Sequence, residues 1–411
     1  MSQPFQGLAQ KIKAQYKAAR ESNAVIFFDS EVVELDDEET GIPASPSGAW
    51  QFEVRLVPGL AKKPQGEGHS ADSDRKKEDA APSDPFAPPY IEELFVTEET
   101  VKEDEDDAGE TFVVLLNKFC VVPRHALLVT KEFVRQGAPL SPLELFATWS
   151  IVKQLGAREK HLGFFNCGPE SGASQPHKHL QFMPLSGGVA PFDEIIDAHK
   201  PQNRKSCFQL PLPYANFTAL IDAPPSPADV PAYLGQRFLE LLDLMIDHRR
   251  RLVEEDASVA PAGAGGDGRV RLSDLSYSLI ITPSYLHLVP RRREKYTTER
   301  GHELSINALG YAGMMLVKDQ ESLEDVQKVG VLAILTELGF RPVGQGETKE
   351  AEAIAKMESV DVCAGVVISV DEFKRDFGQL GARDAIEHVN EKTDTPIWLE
   401  LAAADALDLG S

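Results

Sequence analysis

The chain has 411 residues, 42% of them hydrophobic, and its 65 acidic side chains outnumber 42 basic ones for a formal charge of −23. A surface of that sign argues against nucleic-acid binding, and no apolar run approaches the ~20 residues that a membrane helix needs. Residues 1–20 are too polar for a signal peptide, and the four cysteines (Cys120, Cys167, Cys207 and Cys363) lack metal-like spacing, so a soluble protein of the reducing cytoplasm is expected, with nuclear access left open.

In chain order, residues 3–22 read as a helix, with Leu8, Ile12, Tyr16 and Ala19 at helical spacing. Residues 25–28 and 32–35 read as short strands. Residues 50–57 make a firmer strand, because Phe52, Val54 and Leu56 alternate with Glu53 and Arg55. Residues 59–64 leave it as a loop carrying Lys62 and Lys63. The segment 65–84 is rich in Gly, Ser, Asp, Lys and Pro and reads as a disordered insertion. Residues 84–89 form a rigid extended return, and 97–110 an acidic, solvated loop. Strands follow at 112–116, 120–122 and 127–130, the first two flanking Asn117 and Lys118; His125, taken by itself, reads as structural. Ser141, Pro142 and Glu144 spell a helix start, with a cap, a proline at the first helical position and a glutamate three after the cap.

A strand at 164–166 then enters the stretch Asn166-Cys167-Gly168-Pro169-Glu170-Ser171-Gly172-Ala173-Ser174-Gln175-Pro176-His177-Lys178-His179-Leu180-Gln181. It reads as a small-residue loop running into a strand that continues to 184. Strand side chains alternate, so His177, His179, Gln181 and Met183 share one face, about 6–7 Å apart at each step, and Lys178, Leu180 and Phe182 take the other. Residues 186–227 read as irregular, with extended pieces at 209–213 and 216–220; 228–254 as a long amphipathic helix; 260–268 as a flexible loop; 276–281 and 285–289 as a hairpin. Leu288-Val289-Pro290-Arg291 echoes Val121-Val122-Pro123-Arg124, a weak internal similarity. Residues 305–318 read as a small-residue loop entering a strand, and 326–338 as a helix ended by Gly339. The region 343–411 gives mixed signals.

Three chemistries fit the His-x-His pair. It could chelate a metal, although a zinc site needs three or four protein ligands and no third is spaced to help. The pair could be satisfied inside a core. Or one imidazole could attack phosphorus: neutral imidazole is abundant at pH 7 and needs no base to activate it. The phosphoramidate it forms splits one hard transfer into two easier ones. Backbone N–H groups of Gly172–Gln175 and the Gln181 carboxamide could then receive phosphate oxygens. Positive charge for a phosphate could come from Lys62, Lys63, Lys118, Lys178, Arg291, Arg292, Arg293 and Lys318.

His177-Lys178-His179-Leu180-Gln181 resembles the His-x-His-x-Gln signature of the transferase branch of the histidine-triad superfamily. That branch holds galactose-1-phosphate uridylyltransferase and the diadenosine tetraphosphate phosphorylases (ATP adenylyltransferases). The fungal type of phosphorylase is similar at Ala61–Pro64, Leu115–Phe119, Pro123–His125, Asn166–Pro169, Ser171–Gln181 and Asn307–Lys318, in the same order over roughly residues 5–342. The resemblance implies an α+β fold of two histidine-triad-like halves with antiparallel sheets and packed helices, at 1–200 and 201–342, with insertions at 65–84, 97–110 and 256–268 and an unassigned extension at 343–411. It also implies reversible adenylyl transfer: His179 takes AMP from diadenosine tetraphosphate, releases ATP, and passes AMP to phosphate to give ADP. His177 and Gln181 would support His179. Substrate contacts would come from Lys63, Asn117, Lys118, Asn166, Gly172, Ala173, Ser174, Gln175, Gln181, Asn307, Ala308, Leu309, Met314 and Lys318. A divalent cation such as Mg2+ would accompany the nucleotide rather than be held by the protein, and the partners would be small molecules acting on a monomer. A relative that acts on another dinucleotide or a sugar nucleotide, or that hydrolyses its substrate, stays open at this point.

Overall fold

The computed structural model describes residues 4–37, 50–62, 84–103, 107–185, 188, 190, 192–255 and 275–343, together with short strands at 367–369 and 398–400. The chain divides into two units, Met1–Pro342 and Val343–Ser411. In the second, Val367–Ser369 and Trp398–Glu400 pair in parallel; the remaining expectations for 343–411 lie outside the described residues, as do those for 65–83 and 256–274.

The first unit is built on an eight-stranded antiparallel sheet. Its strands, in chain order, are β4 (Phe95–Val101), β5 (Glu110–Leu116), β7 (Ala126–Thr130), β8 (His161–Cys167), β9 (His179–Pro184), β10 (Phe217–Leu220), β11 (Ser276–Ile281) and β12 (Tyr285–Arg291). Across the sheet they run β10-β12-β11-β8-β9-β7-β5-β4. The two sequence halves meet inside it where β8 pairs with β11, Asn166 opposite Ser278 and Phe164 opposite Ile280. Three further strands, β2 (Glu31–Asp37), β3 (Trp50–Leu56) and β15 (Met314–Val317), form a small sheet in which β3 pairs in parallel with β15. Two-residue strands β1 (Ile26–Phe27) and β6 (Phe119–Cys120) also pair in parallel, and β13 (Lys295–Thr297) pairs with β14 (Glu303–Ser305).

Period-two alternation sends each strand's side chains to two different cores. Phe112, Val114, Leu128, Phe165, Leu180, Phe182, Leu279 and Leu288 face α1 (Leu8–Glu21), α2 (Pro142–Gly156) and α4 (Val230–Glu255). From the other face, Phe164, Met183, Ile280 and Val289 join the cluster built on β3, β15, α5 (Gln320–Val329) and α6 (Val331–Leu338). Helix α2 starts as its sequence dictates: Ser141 Oγ accepts from the Glu144 N–H at 3.0 Å, and Glu144 Oε2 accepts from the Ser141 N–H at 2.7 Å.

Several elements depart from the sequence reading. The first helix begins only at Leu8, because Gly7 ahead of it has φ 71°. Residues 95–101, read in part as acidic loop, are the edge strand β4; β-branched Thr97, Thr100 and Val101 hold the ladder while Glu98 and Glu99 sit on an edge that water reaches. The supposedly irregular region contains a seven-residue helix, α3 (Asp193–His199). The last helix is broken in two at Gly330, whose φ of 87° belongs to no right-handed helix.

Lys178 is corrected from a phosphate candidate to a structural cation. It points to the helical side of the sheet, where its Nζ lies 2.9 Å from Glu144 Oε2 and 2.9 Å from the Pro139 carbonyl oxygen. Both side chains are 3% exposed. Burial pushes the Glu144 carboxyl up, and Lys178 opposes that shift. A pair this deep is costly to break from one side, since the survivor is left charged and dry. Lys178→Met is expected to destabilise the fold by about 3–5 kcal/mol, measured by urea unfolding monitored by circular dichroism.

Candidate active site

At the first residue of β9, the imidazole of His179 is held by its own chain. Nδ1 lies 2.9 Å from the His177 carbonyl oxygen. A carbonyl only accepts, so Nδ1 carries the proton and the lone pair sits on Nε2. The ring is 2% exposed. Burial depresses its pKa to about 4, the adjoining His177 adds to that, and the hydrogen bond to His177 opposes it. His179 is therefore a neutral imidazole with an unshared electron pair on Nε2. The Phe86 ring packs beside it, centroids 4.9 Å apart.

His177 precedes the strand and meets Arg135 in an isolated antiparallel bridge. Its side chain lies with that of His179 against Phe86, as the alternation predicts. Nδ1 is 2.7 Å from Asp84 Oδ2, and Nε2 is 2.8 Å from the Thr130 carbonyl oxygen.

The backbone around His179 is held by Gln136. Strands β8 and β9 pair from His161–Pro184 as far as Phe164–Gln181. Beyond that point the carboxamide of Gln136 spans them. Its Nε2 donates to the Asn166 carbonyl at 2.8 Å and the His179 carbonyl at 3.2 Å, and its Oε1 accepts from the His179 N–H at 2.8 Å. Nothing in the sequence singles out this residue, because its partners are 30 and 43 positions away.

Gln181 is half-buried on β9, opposite Leu127 on one side and Phe164 on the other. The structure adds a third histidine to this corner. Asn117 Nδ2 is 3.2 Å from His125 Nδ1, so the amide donates and the His125 proton sits on Nε2. Burial presses His125 down to about 4, with the neighbouring Gln181 opposing and His179 reinforcing the shift. His125 is thus part of the same polar group as His179, Gln181 and Asn117, although spacing alone gave it no role.

The second half reaches the site through Asn166. Its Oδ1 accepts from the Ala308 N–H at 2.8 Å, and Asn307 Oδ1 accepts from the Leu309 N–H at 3.0 Å. The backbone donors of Ala308 and Leu309 are thereby taken up within the protein. Gly172, at φ +79°, lies so close to this segment that a Cβ there would come within 3.0 Å of the Ile306 carbonyl oxygen. No hydrogen bond within the described residues takes up the N–H groups of Gly172, Ala173, Ser174 and Gln175. Met314 is buried in the core of the small sheet.

Arg291, the other buried cation among the phosphate candidates, is also structural. Its guanidinium donates to the carbonyl oxygens of Ser171 (3.3 Å), Arg293 (2.9 Å) and Ile306 (2.8 Å) and to Ser278 Oγ (3.1 Å), and it lies over the Tyr311 ring. It ties the loop before the histidines to the segment before Asn307. Lys118 and Lys318 remain exposed, Lys118 above the Phe119 ring. Lys63 lies outside the described residues. Among the described residues no three His, Cys, Asp or Glu side chains cluster as metal ligands.

This geometry matches known proteins. Residues 2–196 match the Ap4A phosphorylase N-terminal domain, and residues 210–341 the ATP adenylyltransferase C-terminal domain. Diadenosine 5',5'''-P1,P4-tetraphosphate phosphorylase 2 of Saccharomyces cerevisiae is 31% identical over 342 residues, covering 78% of this chain and 90% of that protein. The chain belongs to the Ap4A phosphorylase family. Within that family, Protein APA1 of the same yeast is 26% identical, with 81% of this chain and 94% of that one covered. The crystal structure of yeast Ap4A phosphorylase Apa2 superposes with a TM-score of 0.61 at 29% identity, covering 82% of this chain and 99% of that one. A second structure of Apa2, in complex with Ap4A, gives a TM-score of 0.59. An Ap4A phosphorylase is a nucleotidyltransferase, and the α+β architecture agrees with that assignment.

Two outcomes follow from the site's geometry. Replacing Gln136 with Ala strands one N–H and two carbonyl groups in a buried position. The rate of nucleotidyl transfer by Gln136→Ala is expected to fall at least about tenfold, since small displacements of a nucleophile are costly, as read from initial-rate kinetics. The buried imidazoles of His125, His179 and His248 titrate at about 4, and that of His287 at about 3, with burial the leading cause in each. The unfolded chain binds protons at these groups from about pH 6.5 downward. Between that pH and about 4 it therefore holds more protons than the folded state, and stability falls as pH falls. Urea midpoints are expected to be lower at pH 5 than at pH 7.

Proposed function

We propose that this chain catalyses the phosphorolysis of diadenosine tetraphosphate to ATP and ADP, through a covalent AMP on His179. The observation that carries the reading is the bond from His179 Nδ1–H to the His177 carbonyl, which leaves a neutral, unshared electron pair on Nε2. That nitrogen attacks the α-phosphorus of the dinucleotide. The bond to the bridging oxygen breaks, ATP departs with its electron pair, and AMP remains as a phosphoramidate. A phosphate oxygen then attacks the same phosphorus, ADP leaves, and the imidazole is restored. Each step is reversible, so the same site also forms the dinucleotide from ATP and ADP.

By the family resemblance, the phosphate oxygens are assigned to the N–H groups of Gly172 to Gln175 and to the Gln181 carboxamide, which can donate to developing negative charge. A carboxamide at position 181 does not titrate, so it offers a donor without becoming a base that would activate water. Asn117, Lys118, Asn166, Asn307, Ala308, Leu309, Met314, Lys318 and Lys63 are assigned to the nucleotide by the family resemblance. Ala308 and Leu309 would act there through packing, as their backbone donors are engaged. A divalent cation enters with the polyphosphate as part of the substrate. Thiols at Cys120, Cys167 and Cys207 fit the reducing cytoplasm, and a site assembled from one chain fits a working monomer.

With dinucleotide labelled at the α-phosphate, the enzyme is expected to retain acid-labile label, and His179→Ala to lose both the label and at least about 10^4-fold of the rate. Turnover should require inorganic phosphate. Label retained by His179→Ala would overturn the assignment of the nucleophile, and AMP release without phosphate would make the protein a hydrolase.

A further inference from the structure

The catalytic strand is not the last link in the arrangement around His179. The carbonyl that fixes the nucleophile belongs to His177, so anything that sets the plane of the 177 peptide sets the direction of the His179 ring. His177 is 1% exposed and is held at both ends of its imidazole. At one end is Asp84 Oδ2, 2.7 Å from Nδ1; at the other is the Thr130 carbonyl, 2.8 Å from Nε2. A carboxylate only accepts, so Nδ1 carries a proton and donates to Asp84, which fixes the orientation of the ring. The Asp84 carboxylate is itself fixed, because its Oδ1 accepts from the Phe86 N–H at 2.9 Å. Phe86 in turn contacts both imidazoles, with centroids 6.1 Å from His177 and 4.9 Å from His179.

We propose that Asp84 is a positioning residue for the reaction, orienting His177 so that the His177 carbonyl aims His179 Nε2 at phosphorus. The assignment rests on His179 being the nucleophile. The order is carboxylate, imidazole, peptide, imidazole, and its first member stands 93 positions from its second.

The remaining groups around His177 leave this role to Asp84. Thr130 Oγ1 lies 3.2 Å from Nε2 and is uncharged. Phe133 presents a ring edge 5.3 Å away. Arg135 meets His177 through the backbone bridge. Lys178 is turned to the opposite face of the sheet and paired with Glu144. Lys131, following Thr130, is paired with Glu98. Tyr90 lies within the field of Asp84, Glu98, Glu132 and Lys131, and its phenol is raised, mainly by burial. His179 is the titratable group on the strand itself.

Asp84→Asn separates charge from shape, since the amide oxygen can still accept from Nδ1. Two readouts are used, the rate of single-turnover adenylylation and the far-downfield proton resonance of the His177 Nδ1–H. In Asp84→Asn the resonance is expected to disappear or move sharply upfield. Adenylylation should slow by about 10–100-fold, the range for carboxylates that orient a working histidine. Asp84→Glu should recover part of the rate, with melting temperatures separating these effects from misfolding. A merely structural Asp84 would alter the melting temperature and leave the adenylylation rate of the folded protein unaltered, which would overturn the proposal. Absence of label on His179 in the unaltered enzyme would instead overturn the reading of the nucleophile, even with the resonance present.

Discussion

Everything at this site depends on one short hydrogen bond, made between residues two apart on the same chain. An imidazole can rotate about two torsions and present either nitrogen. Tying His179 Nδ1–H to the His177 carbonyl fixes the tautomer and removes both rotations. Such a bond requires the backbone at 177 to depart from the regular ladder, and β9 indeed starts only at His179. The structure then has to supply, from elsewhere, what the ladder would have given. The Gln136 carboxamide supplies the pairing at His179 and Asn166, and Asp84 with Thr130 supplies partners for the displaced histidine.

The sheet divides its labour by face. Toward the helices it is a largely apolar core that contains the dry ion pair of Lys178 with Glu144. Toward the other side it offers imidazoles and amides, shielded by Phe86 and by the cluster from the second half of the chain. Arg291 lies at the join, and its Nη groups donate to carbonyl groups from both halves. A cation used in this way ties the loop before the histidines to the segment before Asn307.

What could be read from the residues alone was whatever is encoded locally. Ser141, Pro142 and Glu144 announce a helix start because a capping box closes within four residues. The alternation at 177–183 announces which side chains share a face because a strand repeats every two. Sequence could not show that Lys178, of the right charge and beside the right residues, would spend itself on Glu144, since that depends on which strand face meets α2. Nor could it show Gln136, Asp84 or His125, whose partners come from other strands. The broken helix at Gly330 is an intermediate case: glycine is visible, but a left-handed backbone there is decided by how α5 and α6 pack.

The parallel pairing of β3 with β15 joins residues 53–56 to residues 314–317. A strand made early in synthesis thus waits for one made near the end of the unit. Until β15 leaves the ribosome, the inner edge of β3 has no partner, and the apolar side chains Phe52, Val54 and Leu56 lack half of their core. Closing a loop of that length is slow compared with forming hairpins such as β11–β12. The nascent first half therefore exposes a sticky edge through much of its translation. That makes it a natural client for chaperones and a poor candidate for expression as an isolated half.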